Sequence, residues 1–205
     1  MKLFTHYVFS AGILLYLTTL LGNVGLYIVS AMWSAVAVNW VIDVFGHDNK
    51  PAPSPYKTIP SSWVHPYHPV RAFRTHSVFT APFIGIIVTV LPVFIGVEAI
   101  GQPIFPYLPP LNVALKVLCV FGVISAFSHL FLDSLTENGI YIIHRVALAH
   151  LSYNNFYANT AAGLFGFALI YMWILSIDKV LATILLVWHP PRLEGTIALI
   201  RFTSF

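Results

Sequence analysis

Charged side chains are scarce in this chain. Asp, Glu, Lys and Arg together make up 8% of it, where an ordinary soluble domain carries about 25%, so there is too little material for a solvated globular surface. Cysteine is nearly absent as well. Cys119 stands alone, which excludes an internal disulfide and a Cys-rich zinc site, and its place within an apolar run suits a small core residue. Internal repeats and low-complexity tracts are missing. The net charge of +3 is weak grounds for a nucleic-acid partner, and the basic residues serve better as orientation signals.

What the chain has in abundance is apolar sequence: 58% of its 205 residues, with a mean hydropathy of +0.82. Several runs are long enough to cross a bilayer, which takes roughly 20 residues as helix. The expectation is an all-α, polytopic membrane protein with about five transmembrane helices. The first span runs from Thr5 to Leu21, and Gly22-Asn23 makes a turn into the second, Val24 to Phe45. Met1-Lys2 followed by apolar residues resembles a signal peptide, but no cleavage site interrupts the pattern, so a retained transmembrane hairpin is expected. The second span is rich in Ala and Ser, which allow close helix approach. Its last turns stack Asn39, Asp43 and His47 on one face.

Asp48 to Thr75 is a long Pro-rich loop between spans 2 and 3, in which each proline biases its predecessor away from helix. The third span, His76 to Gly101, carries Pro82 in its early turns and Pro92 where a kink is expected. The fourth, Leu111 to Asp133, follows a short Pro-rich connection. Ser134 and Glu137 have capping-box spacing, and Ile140 to Leu151 reads as a short interfacial helix after span 4. The fifth span begins near Thr160, with Asp178-Lys179 either ending it or interrupting a helix that reaches Trp188. His189-Pro190-Pro191 stops it. Residues 1–189 thus form a single helical membrane domain, and 190–205 form a C-terminal surface tail.

Within that frame Ala126-Phe-Ser-His129-Leu-Phe-Leu-Asp133 stands out. His129 and Asp133 are four residues apart and share a helix face. Ionisable groups inside spans are costly and face a partner, a cavity or a metal. With five crossings, His6, Asp43, His47, His76, His129 and Asp133 all fall at the same end of the bundle, and these six are the candidate metal ligands. Lys2, Lys50, Lys57, Arg71, Arg74 and Arg145 lie on that side, against Lys116, Lys179, Arg192 and Arg201 on the other. The excess places the polar site at the cytoplasmic face of the cell membrane.

Imidazole with carboxylate suits zinc, manganese or non-haem iron and argues against calcium. The set exceeds what one tetrahedral ion needs. Either two ions bind, or some residues orient the ligands. Asp48 and Glu137 are candidates for general base or acid, while Arg71 and Arg74 have the chemistry to grip a phosphate or carboxylate. His65, His68, His144, His150 and His189 are read as structural groups at the interface.

Arg74-Thr75-His76-Ser77 and Ser128-His129-Leu-Phe-Leu-Asp133-Ser-Leu-Thr136-Glu-Asn-Gly139 resemble the YdjM-like family of LexA-binding, inner-membrane-associated metal-dependent hydrolases, in an archaeal branch. That family has an early His in its first helix, an Asp-x-Asp-His element, a His-Arg-x-x-Thr-His-Ser element and Ser-His-x-x-x-Asp-x-x-Thr-x-x-Gly. The last is matched closely here, and His6 matches the early His. The Asp-His pairing is stretched to Asp43-Val-Phe-Gly-His47, which leaves open whether Asp43, His47 or Asp48 coordinates. Arg71-Ala72 stands where the family has His-Arg.

The resemblance and the residue pattern together imply a metal-dependent hydrolase of an ester or phosphoester. Its substrate is expected to be an amphiphile, because the site opens at headgroup depth. Zinc is the favoured ion. The alternatives are a haem held by His76 and His129 as an axial pair, and a non-catalytic accessory subunit whose polar groups only join helices. Partners are membrane lipid and a homo-oligomer or membrane complex. An absorption spectrum of the pure protein separates the first two readings: zinc gives no Soret band, and a Soret band decides for haem.

Overall fold

The computed structural model describes residues 1–22, 25–48, 70–100 and 111–187, with side chains for all of these except 47, 48, 70, 97–100, 111 and 178–187. The described chain is mainly helical. Its helices are α1 (Leu3–Thr18, extended by a 3-10 turn Thr19–Leu21), α2 (Gly25–Phe45), the single turn α3 (Phe73–His76), α4 (Ala81–Ile100), α5 (Leu111–Ser134) and α6 (Phe156–Val187). Four stretches are long and apolar enough to cross a membrane: Leu3–Leu21, Gly25–Phe45, Asn112–Ser134 and Phe156–Ile177. The apolar part of α4, Ala81–Gly96, is shorter.

Helices that sit in lipid gain nothing from hiding apolar side chains from water. Their contacts therefore depend on close packing of small residues and on interhelical hydrogen bonds. Both are present. Gly12 of α1 faces Gly166 of α6, and Gly85 of α4 faces Gly122 of α5, each so close that a Cβ on one would overlap the other's backbone. The hydroxyl of Thr89 bonds across to the Leu118 carbonyl at 3.0 Å, and that of Ser125 to the Ser34 carbonyl at 3.0 Å. Ser30, Ala31, Ser34, Ala35 and Ala37 are all buried on α2, as its small-residue run leads one to expect. Leu14, Leu15, Ala31, Ala35 and Phe121 fill the middle of the bundle, and Val38, Ile42, Ala81, Ala126, Leu130 and Ile140 fill it nearer the polar end. The outward residues are large and apolar, among them Val29, Val36, Phe83, Ile87, Phe165 and Tyr171.

The connections differ from expectation in three places. The interfacial helix over Ile140 to Leu151 is absent. In its place Ile140–Tyr141 and Arg145–Val146 form an antiparallel pair, β3 and β4. β-Branched Ile and Val favour that choice, and Gly139 enters it at φ 57, a conformation glycine adopts without strain. Second, His76 does not begin the third long helix. It ends α3, and Ser77 is extended so that it bridges to Tyr141 before α4 starts at Ala81. Third, α6 runs through Asp178-Lys179 to Val187 without a break. Its start is set by Asn155, whose side-chain oxygen accepts from the Ala158 N–H at 2.9 Å, an N-cap bond.

At the end of α2, His47–Asp48 (β1) pairs with Val70–Arg71 (β2), and the Ala72 N–H bonds to the Gly46 carbonyl at 2.8 Å. These contacts close the base of the Pro-rich loop. The loop at 49–69 and the tail at 190–205 lie outside the described residues.

The glycine contacts generate a stability prediction. Gly122→Leu should lower the unfolding midpoint in detergent, by the roughly 1–3 kcal/mol typical of overpacking. Gly163→Leu, where nothing lies within 4 Å, should leave it nearly unchanged.

Candidate metal centre

Five ionisable side chains from four segments meet at one end of the bundle. His6 comes from the second turn of α1, Asp43 from the last turn of α2, His76 from α3, and His129 and Asp133 from the final turns of α5. His6, His76, His129 and Asp133 are completely buried. Asp43 is 17% exposed and forms the solvent-side edge of the group.

Asp133 is the hub. Its Oδ1 lies 3.2 Å from His6 Nε2, 3.3 Å from the Met1 amino group and 2.5 Å from Arg71 Nη2. Its Oδ2 lies 3.1 Å from His129 Nε2 and 3.2 Å from His76 Nε2. His129 Nε2 is also 3.6 Å from Asp43 Oδ1. The His6 and His129 rings stack with centroids 4.0 Å apart, and the His76 ring stands edge-on to His129 at 5.7 Å. Two triads bring their donor atoms within 4.8 Å of one another: His6, His129 and Asp133, and Asp43, His76 and His129.

The outer nitrogens show how the imidazoles are held. The Asn39 amide donates to the Ala35 carbonyl at 2.6 Å and to Ser10 Oγ at 3.0 Å, so its oxygen is the atom that meets His129 Nδ1 at 2.8 Å. His129 Nδ1 therefore carries a proton, and in the neutral ring Nε2 is left with the lone pair. Ser10 continues the chain to Ser128 at 2.5 Å, and Ser128 donates to the Ser125 carbonyl. At His76 the pattern repeats. Thr75 Oγ1 donates to the Ala72 carbonyl and so accepts from His76 Nδ1 at 2.9 Å, again directing the Nε2 lone pair at Asp133. Burial keeps this imidazole neutral, its pKa pushed down to about 4. Neutral imidazole with its outer N–H fixed by a neighbour is the form that binds metals.

Facing lone pairs are unfavourable without a cation near them. His129 Nε2 and Asp133 Oδ2, 3.1 Å apart, and both ring nitrogens of His6, whose Nε2 is 3.2 Å from Asp133 Oδ1, are buried and make no hydrogen bond among the described residues. Buried polar atoms in that condition call for an explanation, and an ion is one. The donor set fits a divalent transition metal: nitrogen and oxygen atoms from neutral imidazole and carboxylate, converging from separate helices. The two triads share His129, whose Nε2 could serve one ion at a time, so both could not be filled through that ring.

Of the residues singled out from sequence, the structure brings together His6, Asp43, His76, His129 and Asp133. It turns Arg71 inward. Besides Asp133 Oδ1, the Arg71 guanidinium donates to the Asp133 carbonyl at 3.1 Å, to Thr136 Oγ1 at 3.1 Å and to the Gly139 carbonyl at 2.9 Å. It neutralises the carboxylate and closes the C-terminal end of α5. Arg74 and Glu137 are exposed. The side chains of His47 and Asp48 lie outside the described residues. The sequence pattern puts Asn39 on the face of Asp43 but gives no task to it or to Ser10, Ser128 and Thr75. A polar Asn one turn before Asp43 inside an apolar run is the signal for it. Gly46 also went unassigned to the site. A Cβ there would collide with the His76 ring and the Ile42 carbonyl, so the end of α2 approaches His76 only because this residue is glycine.

The family model described as protein of unknown function, DUF1286, matches residues 1–132, about two thirds of the chain. The chain belongs to the DUF1286 family. The stretch that defines DUF1286 here contains His6, Asp43, His76 and His129, and ends just before Asp133. No curated protein and no solved structure matches the chain.

The pairing of Asp133 with Arg71 is testable without any metal. Asp133→Asn leaves a buried guanidinium without its counter-charge and should lower stability by about 3–5 kcal/mol, the usual penalty for breaking a buried pair. Arg71→Met combined with Asp133→Asn should recover part of that loss in a denaturant titration in detergent.

Proposed function

We propose that the protein is a membrane-embedded, metal-dependent hydrolase, with zinc as the favoured ion and an ester or phosphoester of an amphiphile as substrate. One observation carries this reading. His129 Nε2 is buried, its proton is committed to Asn39 on the other side of the ring, and it faces the unbonded Asp133 Oδ2 at 3.1 Å. A cation satisfies both atoms at once. His6 and His76 are placed to complete the shell, with Asp43 at its exposed edge. A divalent ion held there would supply acidified water and polarise a carbonyl or phosphoryl oxygen.

The rest of the proposal concerns what this chain's residues do. Asp43 gives the buried donors their contact with the outside, so substrate approaches over the ends of α2 and α3. Exposed Arg74 is available to an anionic headgroup, and Glu137 to proton transfer. Arg71 does not meet substrate; it holds Asp133. The five-span arrangement, with α4 as the third crossing and the centre at the cytoplasmic face, remains part of the proposal, as does membership of the YdjM-like group. The last is supported by the Ser128 to Gly139 pattern and by the convergence of His6, His76, His129 and Asp133. Haem is the weaker reading, because both imidazoles already face the Asp133 carboxylate, His76 Nε2 at 3.2 Å and His129 Nε2 at 3.1 Å from its Oδ2.

Elemental analysis of protein purified without chelator tests the reading, with near-stoichiometric transition metal as the expected result. Protein that stays metal-free after incubation with zinc, manganese or iron would leave only the non-catalytic accessory role. Asn39→Leu should weaken metal retention about 10–100-fold, as loss of an outer-shell partner does, and His129→Ala should weaken it further. Unchanged metal content in His129→Ala would remove that residue from the ligand set.

A further inference from the structure

Near its C-terminal end α5 presents two different faces. One carries His129 and Asp133 into the bundle. The other carries Phe127 and Phe131, 46% and 52% exposed, away from it. The β3–β4 hairpin folds back against this outer face, and an open cavity of about 260 Å³ lies between them. Its walls are Phe127, Leu130 and Phe131 from α5, with Ile142, Val146 and Leu148 from the hairpin and the residues after it. Ser134 is the one polar side chain in the lining, and its hydroxyl donates to the Phe131 carbonyl at 2.6 Å.

Such a cavity has almost nothing to offer water, which needs two to four polar partners to be held in place. It offers as little to a charged or hydrogen-bonding ligand. The size, just under the ~300 Å³ at which pockets for drug-sized ligands begin, suits a segment of one chain rather than a whole lipid. The surroundings narrow the occupant. The mouth is bordered by Phe127, Phe131, Ile142 and Leu148, all exposed, and the first two continue the outward surface of a helix apolar and long enough to cross a bilayer. The apolar material at that surface is lipid hydrocarbon.

We propose that this groove seats one acyl chain of a bilayer lipid, clasped between α5 and the β3–β4 hairpin. The proposal rests on the membrane reading of α5 and not on a metal. It has a consequence for the polar end. The hairpin's other contacts run to the centre: Val78 N–H donates to the Tyr141 carbonyl at 2.9 Å, Tyr141 Oη donates to the Arg71 carbonyl at 3.3 Å, and the Gly139 carbonyl accepts from Arg71. A chain in the groove thus supports the hairpin that braces Arg71 against Asp133.

The test uses the full chain in phosphatidylethanolamine–phosphatidylglycerol vesicles doped with a phosphatidylcholine that bears a diazirine in its acyl chain. After photolysis, labelled residues are mapped by mass spectrometry. Labelling at Phe127, Phe131, Ile142 and Leu148 should exceed that at Phe165 and Tyr171, on the exposed face of α6, several-fold. Val146→Trp and the milder Val146→Phe should reduce groove labelling to the α6 level while α6 labelling, the measure of an intact bundle, stays constant. Equal labelling of groove and α6 in the unaltered protein overturns the proposal by itself, whether or not a variant inserts. Undiminished groove labelling in either filled variant overturns it too. Metal content does not enter any of these readings, so a metal-free protein would defeat the hydrolase proposal and leave this one standing.

Discussion

A carboxylate with no access to water has to be neutralised by its neighbours, because the desolvation of a lone buried charge amounts to several kcal/mol even after the protein relaxes. Asp133 is such a carboxylate. It is completely buried, and everything at the polar end of the bundle is arranged around it. Arg71 supplies a full counter-charge through Oδ1. Oδ2 is left to the imidazoles of His76 and His129. The asymmetry between the two oxygens is what makes the site chemically open: one is paired with a guanidinium, and the other faces two ring nitrogens.

Holding that arrangement takes precision, and the bundle supplies it through backbone proximity more than through bulk. Gly12 with Gly166 and Gly85 with Gly122 bring α1 to α6 and α4 to α5 at closest approach. Gly46 does the same where α2 ends beside His76. The chain of hydrogen bonds from Ser125 through Ser128, Ser10 and Asn39 to His129 crosses α5, α1 and α2. A buried polar network of that kind is favourable when every member is satisfied and costly when one is not, so it specifies a single packing of the three helices. Arg71 performs the matching task on the other side, joining β2, the end of α5 and the entry to the hairpin.

Much of this was legible in the chain of letters, and the limits have physical causes. His129 and Asp133 announced themselves because two ionisable groups one turn apart in an apolar run have few bland explanations. His6, His76 and Asp43 followed from counting crossings, since each lies near a helix end. The helical stretches were readable because apolar length is a strong signal in lipid. Arg71, expected with Arg74 to grip a phosphate or carboxylate, turns inward and holds the carboxylate of Asp133. Whether a guanidinium turns in or out depends on a partner more than sixty positions away, which no local pattern encodes. The hairpin at Ile140–Val146 was read as helix because four apolar residues in a row carry no period. There the β-branched side chains and Gly139 decided the outcome. Asn39 and Ser10 were hidden for a third reason. Polar residues inside membrane helices so often bond to their own backbone that a role in holding a distant ring is visible only in three dimensions.

The contacts of Asp133 also bear on how the protein is made. Its partners at Met1 and His6 leave the ribosome more than a hundred residues before it does. Contacts of such long sequence separation form late. In the interval His6 is unmatched, and α5 later brings a carboxylate whose counter-charge, Arg71, lies 62 positions earlier in the chain. The polar end therefore cannot close before α5 is made. Until then His6 and Arg71 stand without the carboxylate that joins them.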